Sequence, residues 1–554
     1  MSSGVNSPWW ERDPERLESE LAQIAEITPV LDRREDDGSL VLEICLPFRA
    51  DQVPVTVTFR PGHPFLPPIL AAPPGTVERH QSPNDGHFCL MDNEDHEWKP
   101  SWMAATLVEE LQRLFLAFEE GTVHEGELAI PEPVSGYVPE SSIVVLVHGQ
   151  MLGDRLISAD GEFVLSEYRP ERFVVDSITG VRPTSESLPE DLSRRVHGQQ
   201  SGRQQSGRWS LVDPPPRPSD LNRLMEAAVQ ELAEVAEPKR RRAGRGRRNP
   251  AGTELWTART FMEEGPRRGE LRRTWIFYRV ILDREGSLGS LDIVGTQALS
   301  EAKRGDRLKE LSGLRDSAFL LVGAGALGAP VAGELAKSGS VELDIVDPGH
   351  YDVNNSVRHV LPFSFAGAPK ATSVAAWAEG FNPYSNCRGH QFGVGRSDPD
   401  QLARLVAGAN VVIDATGLHV VTRYLHEVCA AHGKPLVSGA LSLGGFGGRV
   451  VRINGRSPCF DCFLADAAIP MPLESSREDE MHTPYGCSHP AASCSGFDVS
   501  ELAANIARTA VRASELTEYP ALDFDWAVVN FRPGADRWTQ GKLVAGGDCQ
   551  WCVK

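Results

Sequence analysis

The chain has 554 residues, of which 41% are apolar, and its formal net charge is −20. A chain of this length usually folds as two or three domains, and the apolar content is ample for burying them. The negative charge argues against a general nucleic-acid-binding protein, which needs excess Lys and Arg to neutralise phosphates. The sequence has no apolar run long enough to span a membrane, and its start lacks the features of a secretory signal. We therefore expect a cytoplasmic protein without membrane partners.

Residues 1–135 are predicted to form an α+β domain. The hydrophobic pattern indicates helices at 14–27 and 104–119 and strands at 40–47 and 53–60. Between the second strand and the last helix lie GHPFLPP and HQSPNDGHFCLMDNEDHEWKP, which are rich in Pro, Asn, Asp and Trp. This loop-rich stretch is where we expect the chemistry of the domain.

Residues 136–310 form a middle region to which we assign no role. Strand-like pieces such as SSIVVLVHG and TWIFYRVILD alternate with polar segments and with one predicted helix at 219–237. The basic segment KRRRAGRGRR at 239–248 is predicted to be a solvated, disordered linker, because a run of like charge broken by glycine cannot form a core.

Residues 311–554 show a βαβ pattern. AFLLVGAGALGAPVAGELAKSG, VELDIVD, ANVVIDATG and KPLVSGA alternate strand-like and helix-like pieces. This alternation predicts the α/β class, with a mostly parallel, Rossmann-like sheet covered by helices on both faces.

The apolar piece at 318–322 leads into the sequence GAGALG. Gly323, Gly325 and Gly328 are in GxGxxG register, and a helix-compatible run follows. Such glycines allow a tight turn against a phosphate, whose charge the helix N-terminus stabilises. Asp347 ends the next strand 24 residues after Gly323 and is suitably placed for ribose hydroxyls. The pattern predicts a nucleotide site but does not by itself exclude a dinucleotide-dependent oxidoreductase.

The segment that follows resembles the adenylation domains of ubiquitin-activating enzymes and of the bacterial ThiF and MoeB proteins. In these proteins an acid is followed eleven residues later by the arginine of an N-L-x-R-Q segment; Asp347 and Arg358 have this separation, and Asn355 matches the asparagine. Lys370 in GAPKA and Asp414 in VVIDATG stand at the expected positions of a phosphate-binding lysine and a magnesium-binding aspartate. The resemblance implies ATP and Mg²⁺ as cofactors and covers about residues 315–520.

The residue types suit adenylation, in which a carboxylate attacks the α-phosphate of ATP and pyrophosphate leaves. Arg358, Asn355 and Lys370 can stabilise the phosphoryl charge, and Asp414 can hold Mg²⁺. The sequence departs from the family at Ser356 and His359, which replace the leucine and glutamine of the N-L-x-R-Q segment. The N-terminal arginine that often reaches across a dimer is not located either, so completion of the site by a partner is left open.

Two CxxC pairs, Cys459 with Cys462 and Cys549 with Cys552, are metal-ligand candidates. Ten cysteines in a long chain without a secretory signal favour metal ligands or catalytic thiols over disulfides. Four thiolates can enclose a tetrahedral, structural Zn²⁺, while a redox dithiol and unrelated thiols are the alternatives. The resemblance favours zinc, because activating enzymes of the ThiF type commonly carry such pairs on both sides of their last helices.

The resemblance also implies a thiol that accepts the activated C-terminus between the two pairs. Cys487 and Cys494 compete for this role, and we favour Cys487 slightly. A helix N-terminus nearby would give either thiol thiolate character. Cys429, on a helical pattern, and Cys45, within a strand, are predicted to be core residues, and Cys387 is not assigned.

The N-terminal domain resembles a ubiquitin-conjugating enzyme over about residues 10–125. GHPFLPP corresponds to a YPxxPP-like turn, GHFCL to the GxxCL active-site strand with Cys89, and Trp98 and Pro100 to a downstream WxP. The resemblance implies that Cys89 receives the modifier by transthioesterification and offers it to an amine. The alternative is a structural cysteine in a domain that has lost activity.

The His-Pro-Asn segment of conjugating enzymes departs from its pattern here. His80 is near its expected place, but Pro83 and Asn84 are displaced toward the cysteine. Family members use this asparagine to support the loop or the oxyanion. Asn84, His80 and Asp85 are therefore the candidates for that role.

Taken together, the resemblances imply a fused activating and conjugating enzyme, as found in bacteria, where some belong to antiphage operons of the CBASS type. A ubiquitin-like protein or target C-terminus would be adenylated, carried as a thioester on Cys487 or Cys494, transferred to Cys89 and joined to a target amine. A homodimer is expected, because activating domains of this family usually dimerise.

Three rival functions remain. A sulfur-carrier adenylyltransferase or sulfurtransferase shares every adenylation residue but gives no reason for the Cys89 domain. A non-catalytic adaptor would use both folds only for binding. A nicotinamide-dependent oxidoreductase fits the glycine motif, and Arg358, Lys370 and Asp414 argue against it.

Overall fold

The protein is described by a computed structural model. The described residues are 7–91, 97–123, 132–151, 156–182, 203–243, 253–265, 269–283, 287–300, 305, 307–340, 342–395, 399–472, 474, 494–532, 537–547, 549 and 552. They divide into two compact units, a first that ends at Leu299 and a second that begins at Ser300. Each unit combines helices with sheets, which confirms the predicted α/β class.

The N-terminal part of the first unit is an antiparallel sheet with helices. Its elements are α1 (Trp9–Arg12), α2 (Pro14–Ile27), β1 (Asp32–Asp36), β2 (Ser39–Phe48), β3 (Asp51–Phe59), β4 (Ile69–Ala71) and α3 (Ala104–Glu120). In the described residues, β1 to β4 pair with one another in chain order. Helix α2 begins where the sequence predicts it, because Pro14 suits the first turn and the Asp13 carboxylate accepts from the Arg16 amide at 3.0 Å.

A buried carboxylate joins the two long helices of this part. Glu20 of α2 has no exposed area, and its oxygens accept from the His63 ring at 2.9 Å and from the Ala104 amide at 2.7 Å. Ala104 is the first residue of α3, whose preceding residue makes no side-chain cap. Glu20 therefore caps α3 across the core, a stabilising place for negative charge at a helix N-terminus.

The rest of the first unit is a closed barrel. Its elements are β5 (Val144–His148), β6 (Asp160–Arg169), β7 (Arg172–Ile178), β8 (Gln204–Leu211), α4 (Leu221–Ala243), β9 (Thr253–Glu264), β10 (Leu271–Leu282) and β11 (Leu288–Leu299). Over the described residues the strand order is β10-β11-β5-β7-β6-β8-β9, and β9 closes on β10. The sequence predicts strand-like pieces here but no closed sheet. Helix α4 also includes the first residues of the basic segment, which was expected to be linker.

Both faces of β9 and β10 are covered. Inside the barrel, Trp209 packs edge-to-face against Trp275 with ring centroids 5.3 Å apart. On the other face, Leu224 and Leu232 of α4 belong to one cluster with Phe261 and Ile276. The two strands are consequently buried along almost their whole length.

The second unit is built on one large sheet. Its elements are β12 (Ala318–Val322), α5 (Gly328–Lys337), β13 (Glu342–Val346), α6 (Lys370–Glu379), β14 (Asn386–His390), α7 (Pro399–Gly408), β15 (Val411–Asp414), α8 (His419–His432), β16 (Leu436–Leu441), β17 (Gly447–Ile453), α9 (Phe460–Ala465), α10 (Gly496–Ala513), β18 (Trp526–Asn530) and β19 (Trp538–Gly541). The described strands follow the order β14-β13-β12-β15-β16-β17-β18-β19. The first five are parallel and the last three antiparallel, so the predicted parallel sheet is confirmed.

The sheet brings the predicted nucleotide residues to one edge. Strand β12 lies between β13 and β15, and Val322 pairs with Val346 on one side and Asp414 on the other. The carboxyl ends of these three strands meet there, which is where ligands bind in doubly wound sheets. Among the helices of the described residues, none is both long and apolar enough to cross a membrane.

Candidate functional site

The glycine-rich loop joins β12 to α5. The Gly323 amide donates to the carbonyl of Val346 at 2.8 Å, and Gly323 has φ +98°. A Cβ on Gly323 would lie 2.9 Å from the Ala415 carbonyl carbon, and one on Gly328 only 1.8 Å from the Gly323 oxygen. A Cβ on Gly325 would meet no atom of the described residues within 4 Å. Packing thus requires the first and third glycines, while Gly325 borders open space where a phosphate can approach the backbone.

Asp347 follows β13 and holds this loop. Its carboxylate accepts from the amides of Ala324 at 2.8 Å and Gly349 at 2.7 Å, and the residue is buried. Two backbone donors therefore tie the glycine-rich loop to the neighbouring strand through one carboxylate. The predicted contact of Asp347 with a ribose stays a prediction, and the structure adds a loop-fixing role to it.

Lys370 is the first residue of α6 and lies beside Asp347. Its amide donates to the Gly349 carbonyl at 3.0 Å. A Cβ built on Gly349 would lie 3.1 Å from Asp347 Oδ1 and 3.4 Å from Lys370 Nζ, so both side chains border this glycine. The structure thus brings the ammonium group to the same edge as the glycine-rich loop, where it can attract phosphate.

Asn355, Arg358 and His359 lie in and after a 3-10 turn at Val353–Val357. The amides of Arg358 and His359 both donate to the Asn355 carbonyl, at 3.0 and 2.8 Å. This turn places the predicted asparagine and arginine next to each other. Both side chains are half-buried.

His359, one of the two departures from the family pattern, is tied to the glycine-rich loop. The Leu361 amide donates to Nδ1 at 3.1 Å, which leaves the ring hydrogen on Nε2, and Nε2 donates to the Ala324 carbonyl at 3.0 Å. Burial and the nearby Lys370 ammonium lower the pKa of His359, against the opposing effects of its bond to Ala324 and of Asp347. A neutral imidazole therefore supports the loop.

Asp414 ends β15 and is fully buried. Its Oδ1 accepts from the amide and hydroxyl of Thr416 at 3.0 and 2.7 Å, and its Oδ2 from Thr422 at 2.5 Å and Ser438 at 3.2 Å. A magnesium ligand must present an oxygen to the ion. Asp414 does not fit the predicted magnesium role in this arrangement, because both oxygens are engaged and the residue has no exposed area. Its contacts instead fix the loop that follows β15.

The two candidates for the activating thiol have different outcomes. Cys487 lies outside the described residues. Cys494 is half-buried against the main core, just before α10. Burial and the nearby Asp498 carboxylate raise the pKa of Cys494 to about 11, although the Arg358 guanidinium opposes them. The thiolate character expected from the helix N-terminus is therefore outweighed at Cys494.

The four CxxC cysteines come together. Their sulfur atoms all lie within 4.8 Å of one another, and the distance is 3.5 Å from Cys459 to Cys549 and 3.3 Å from Cys462 to Cys552. A tetrahedral Zn²⁺ with bonds of about 2.3 Å holds its sulfurs about 3.8 Å apart, so the cluster fits such an ion and is too open for disulfides. The Gly546 amide also donates to Cys462 Sγ at 3.3 Å, as amides near metal thiolates do.

Three further cysteines are buried or half-buried in the fold. Cys429 is buried, as predicted, and burial raises its pKa to about 12. Cys45 is only half-buried, because it lies on the less covered face of β2. Cys387 of β14 is half-buried as well, and its burial raises its pKa to about 12.

Cys89 lies in the first unit and is exposed. We call residues 79–89 the Cys89 loop. The Cys89 amide donates to the His80 carbonyl at 2.9 Å, which closes the loop on itself. The buried side chain of Gln81 holds its interior by donating to the carbonyls of Ala72, Pro73 and Gly86 at 3.2, 3.0 and 3.1 Å. The thiol is thus displayed on a braced loop.

The predicted partners of Cys89 have other contacts. Asn84 Nδ2 donates to the Tyr137 carbonyl at 2.9 Å, which favours loop support over an oxyanion role. Asp85 accepts from the His87 ring at 2.7 Å. Burial alone would raise the pKa of Asp85, but the hydrogen bonds from Ser82 and His87 lower it. Asp85 is therefore an ionised, exposed carboxylate on the Cys89 loop.

Several residues at these sites carry no sequence signal. Glu132, Tyr137 and Glu264 lie around the Cys89 loop, and Thr422 and Ser438 hold Asp414. Thr422 and Ser438 lie 8 and 24 residues from Asp414, the other three lie at least 52 residues from their partners, and none belongs to a short motif. A local pattern cannot reveal such contacts.

Comparison with known proteins finds a family for part of the chain and relatives that cover different shares of it. Residues 301–525 match the ThiF family. The uncharacterized protein y4oA of Sinorhizobium fredii is 26% identical over 98% of this chain and 97% of its own length. The SAMP-activating enzyme E1 of Haloferax volcanii is 36% identical over 159 residues, covering 28% of this chain and 57% of that enzyme. The adenylyltransferase and sulfurtransferase MOCS3 of Drosophila sechellia is 33% identical over 29% of this chain and 34% of its own length.

The chain therefore spans less than two thirds of the last two relatives, and each similarity covers less than a third of this chain. The residues that match the ThiF family contain the parallel sheet, the glycine-rich loop and the turn with Asn355 and Arg358. Residues 301–525 of this chain match the ThiF family and are therefore the part of the chain for which a family is identified.

Proposed function

We propose that this protein activates the C-terminus of a ubiquitin-like or target protein with ATP and conjugates it to an amine through Cys89. The observation that carries the proposal is an exposed thiol on a braced loop of an α/β unit, in the same chain as a ThiF-family domain. A relative of that domain is named for activating SAMP. A cysteine on the same chain can accept the activated C-terminus as a thioester.

Adenylation would take place at the carboxyl edge of the parallel strands. A carboxylate oxygen of the protein substrate attacks the α-phosphorus of ATP, the bond to the β-phosphate breaks, and pyrophosphate leaves. The start of α5, Lys370 and Arg358 can stabilise the charge on the phosphoryl oxygens. A bound Mg²⁺ would add charge neutralisation, but Asp414 does not offer it a ligand in the present arrangement.

The acyl group would then pass to thiols. A cysteine sulfur attacks the acyl carbon and AMP leaves, after which Cys89 takes the acyl group by thioester exchange. The high pKa of Cys494 disfavours it as the first acceptor, which supports Cys487. In the last step an amine attacks the thioester, an amide forms, and Cys89 leaves as the thiolate.

The decisive experiment follows thiol-sensitive adducts. The full chain is mixed with ATP, Mg²⁺ and a candidate modifier encoded beside it, then examined by non-reducing electrophoresis and intact mass. Cys89→Ala, Cys487→Ala and Cys494→Ala are compared with Cys387→Ala as a thiol control. We expect Cys89→Ala to abolish the conjugating adduct and Cys487→Ala to abolish both adducts, while the other two variants behave like wild type.

Adenylation is followed separately by ATP–pyrophosphate exchange. Lys370→Ala and Arg358→Ala should each reduce the exchange at least tenfold, because a positioned charge contributes several kcal/mol to such a step. Exchange that proceeds without any adduct on Cys89 would remove the conjugation proposal. Absence of exchange as well would favour a non-catalytic adaptor.

A second candidate function is sulfur transfer. Its support is the similarity to MOCS3, which is named as an adenylyltransferase and sulfurtransferase. In that case a persulfide sulfur would attack the acyl carbon of the adenylate and release AMP, leaving an acyl disulfide. A second thiol would then cleave the sulfur–sulfur bond, forming a disulfide and releasing a thiocarboxylate, which differs from the acid by one sulfur in place of oxygen. Intact mass of the released modifier distinguishes the two functions.

The biological setting implied by the resemblance belongs to the same proposal. We propose a homodimer as the working assembly, a ubiquitin-like modifier and a target amine as partners, and an antiphage operon as the context. Light scattering and the genes beside this one test these points directly.

A further inference from the structure

A short segment links the barrel to the Cys89 loop. We call residues 132–137 the bridging segment. The last residues of β9 hold it: Glu264 accepts from the Glu132 amide at 2.7 Å, and Glu263 accepts from the Ser135 amide at 2.9 Å and hydroxyl at 2.7 Å. Two adjacent carboxylates therefore fix the bridging segment to the barrel.

The other side of the bridging segment meets the Cys89 loop. Glu132 Oε1 accepts from the His80 amide at 2.8 Å, and the Tyr137 carbonyl accepts from Asn84 Nδ2 at 2.9 Å. The Arg79 guanidinium donates to both carboxylate oxygens of Glu264 at 3.0 and 3.1 Å. The loop that carries the thiol is thus held by three separate contacts within the first unit, two with the bridging segment and one with β9 of the barrel.

The Tyr137 hydroxyl lies at the centre of this arrangement. It donates to Glu132 Oε1, the same oxygen that accepts from His80. Burial, the bond to Glu132, the Glu132 carboxylate and an electrostatic interaction with Cys89 raise the pKa of Tyr137, against the opposing effect of Arg79. The hydroxyl therefore stays protonated, and its oxygen can still accept a hydrogen bond from a third group.

We propose that Tyr137 and Glu132 are positioning residues of the Cys89 site, which orient a lysine-type amine toward a thioester on Cys89. The inference rests on the proposed function. An amine is a hydrogen-bond donor, and the pair offers it the phenol oxygen of Tyr137, which Glu132 holds on the segment that contacts the Cys89 loop. In the step itself the neutral amine forms a bond to the acyl carbon, the carbon–sulfur bond breaks, Cys89 leaves as thiolate, and the amine proton goes to solvent.

The inference also gives the barrel a part in the chemistry. Glu263 and Glu264 position the bridging segment, and the segment positions the amine. A conjugating unit with this arrangement depends on the barrel in the same chain.

The test uses the full chain loaded on Cys89 without ATP. A peptide mercaptoethanesulfonate thioester supplies the acyl group by thioester exchange, and Cys89→Ala gives the background. The loaded chain is then treated with free lysine at increasing concentration or with buffer alone. Intact mass gives the rates of aminolysis and of hydrolysis.

We expect Tyr137→Phe and Glu132→Gln to slow aminolysis by lysine about tenfold, the loss of one well-placed hydrogen bond, while hydrolysis stays within about twofold of wild type. Tyr137→Phe keeps the main-chain bond to Asn84, so it tests the hydroxyl alone. Two matched controls from the same unit are Tyr278→Phe, whose buried hydroxyl has no hydrogen-bond partner among the described residues, and Glu231→Gln, whose carboxylate binds Arg259. Both controls should match wild type.

Equal aminolysis in wild type and in both variants would overturn the inference. So would an equal loss of aminolysis and hydrolysis, which would indicate a purely structural role, or a Cys89 that takes up no peptide. The loading does not need ATP. A failure of ATP-dependent loading would therefore remove the proposed function, while the aminolysis measurement could still be interpreted.

Discussion

At the scale of single residues, His359 explains how the chain tolerates a departure from the family segment. A glutamine can donate and accept hydrogen bonds at once, and so can a neutral imidazole with its hydrogen on Nε2. His359 does both, accepting from Leu361 and donating to Ala324. The imidazole differs in one respect, because it can be protonated and then loses its acceptor.

This difference predicts a pH dependence of stability. Burial lowers the pKa of His359 below its ordinary value of 6.5, so the folded protein binds the proton less readily than the unfolded chain. Stability contributed by the neutral ring is therefore complete above about pH 6.5 and declines as the pH falls toward the lowered pKa. His359→Gln should show a smaller loss of thermal stability between pH 7.5 and pH 5 than wild type.

The comparison needs a histidine that does not contact the glycine-rich loop. His432→Gln is a suitable control, because that side chain is exposed and bonds only the Val428 carbonyl of its own helix among the contacts described. It should leave the pH dependence unchanged. An identical pH dependence in His359→Gln and wild type would show that the loop does not depend on the neutral imidazole.

For Asp414, the motif predicts the position of the residue but not the contacts of its carboxylate. The sequence predicts an acid at the end of a strand beside a nucleotide site, and the structure places Asp414 at the carboxyl edge of the parallel strands. Its burial and its four donors could not be predicted, because Thr422 and Ser438 belong to different elements, α8 and β16. A motif gives the position of a side chain on an edge, whereas tertiary contacts decide what its oxygens are free to bind.

At the scale of elements, the hydrophobic pattern predicts strands and helices best where elements that are neighbours in the sequence also pack together. The parallel strands of the second unit are short apolar runs alternating with helices, and they form as expected. The barrel was not predictable in this way. Its closure needs parallel pairing of β11 with β5 and of β8 with β9, strands far apart or separated by a long helix. Strands β9 and β10 are also buried on both faces, so they lack the alternation typical of a two-faced sheet.

The cysteine cluster joins two distant elements, and this predicts a metal-dependent structure. Cys459 and Cys462 lie at the start of α9, and Cys549 and Cys552 follow β19. We expect about one zinc ion per chain by elemental mass spectrometry, and loss of that ion in Cys462→Ser. Cys387→Ser, a thiol outside the cluster, should retain the ion.

Metal loss should also reduce stability, because four thiols would remain crowded without a ligand. Removal of the ion by a strong chelator is expected to lower the melting temperature of the wild type and to have little effect on Cys462→Ser. Purified wild-type protein without bound metal, and with unchanged melting after chelation, would point to the redox dithiol or to unrelated thiols.

At the scale of the whole molecule, the chain has two units with separate hydrophobic cores. The second unit packs its sheet between two clusters of buried residues, one on each face. The first unit has its own clusters in the N-terminal sheet, in the barrel and under α4. The proposed chemistry is divided in the same way, with adenylation in the second unit and the conjugating thiol in the first.

Sequence and structure differ most at this scale. Motifs at the two ends of the chain predict a nucleotide site and a reactive cysteine, because each is a short run of residues. The link between the barrel and the Cys89 loop depends on Glu132 and Glu264, which are 132 residues apart. Only the closed barrel brings them together, so no local pattern could have indicated that the middle region contributes to a site.

Separate cores predict separate unfolding, which two matched variants can test. Asp414→Ala removes the acceptor of four hydrogen bonds, from the amide and hydroxyl of Thr416 and the hydroxyls of Thr422 and Ser438, at a cost of about 3 kcal/mol. Phe277→Ala removes a fully buried ring from the barrel core, at a similar cost. In units of this size either change should lower a melting transition by on the order of 10 °C.

Scanning calorimetry of the full chain should therefore show two transitions, with Asp414→Ala lowering one and Phe277→Ala the other. ATP should raise only the transition that Asp414→Ala lowers, because a ligand stabilises the unit that binds it. Two surface changes, Asp523→Ala in the second unit and Glu162→Ala in the first, should leave both transitions in place. If either core variant shifts the whole profile together, the units unfold cooperatively, and the proposed adenylation site and the Cys89 loop then share one folding equilibrium.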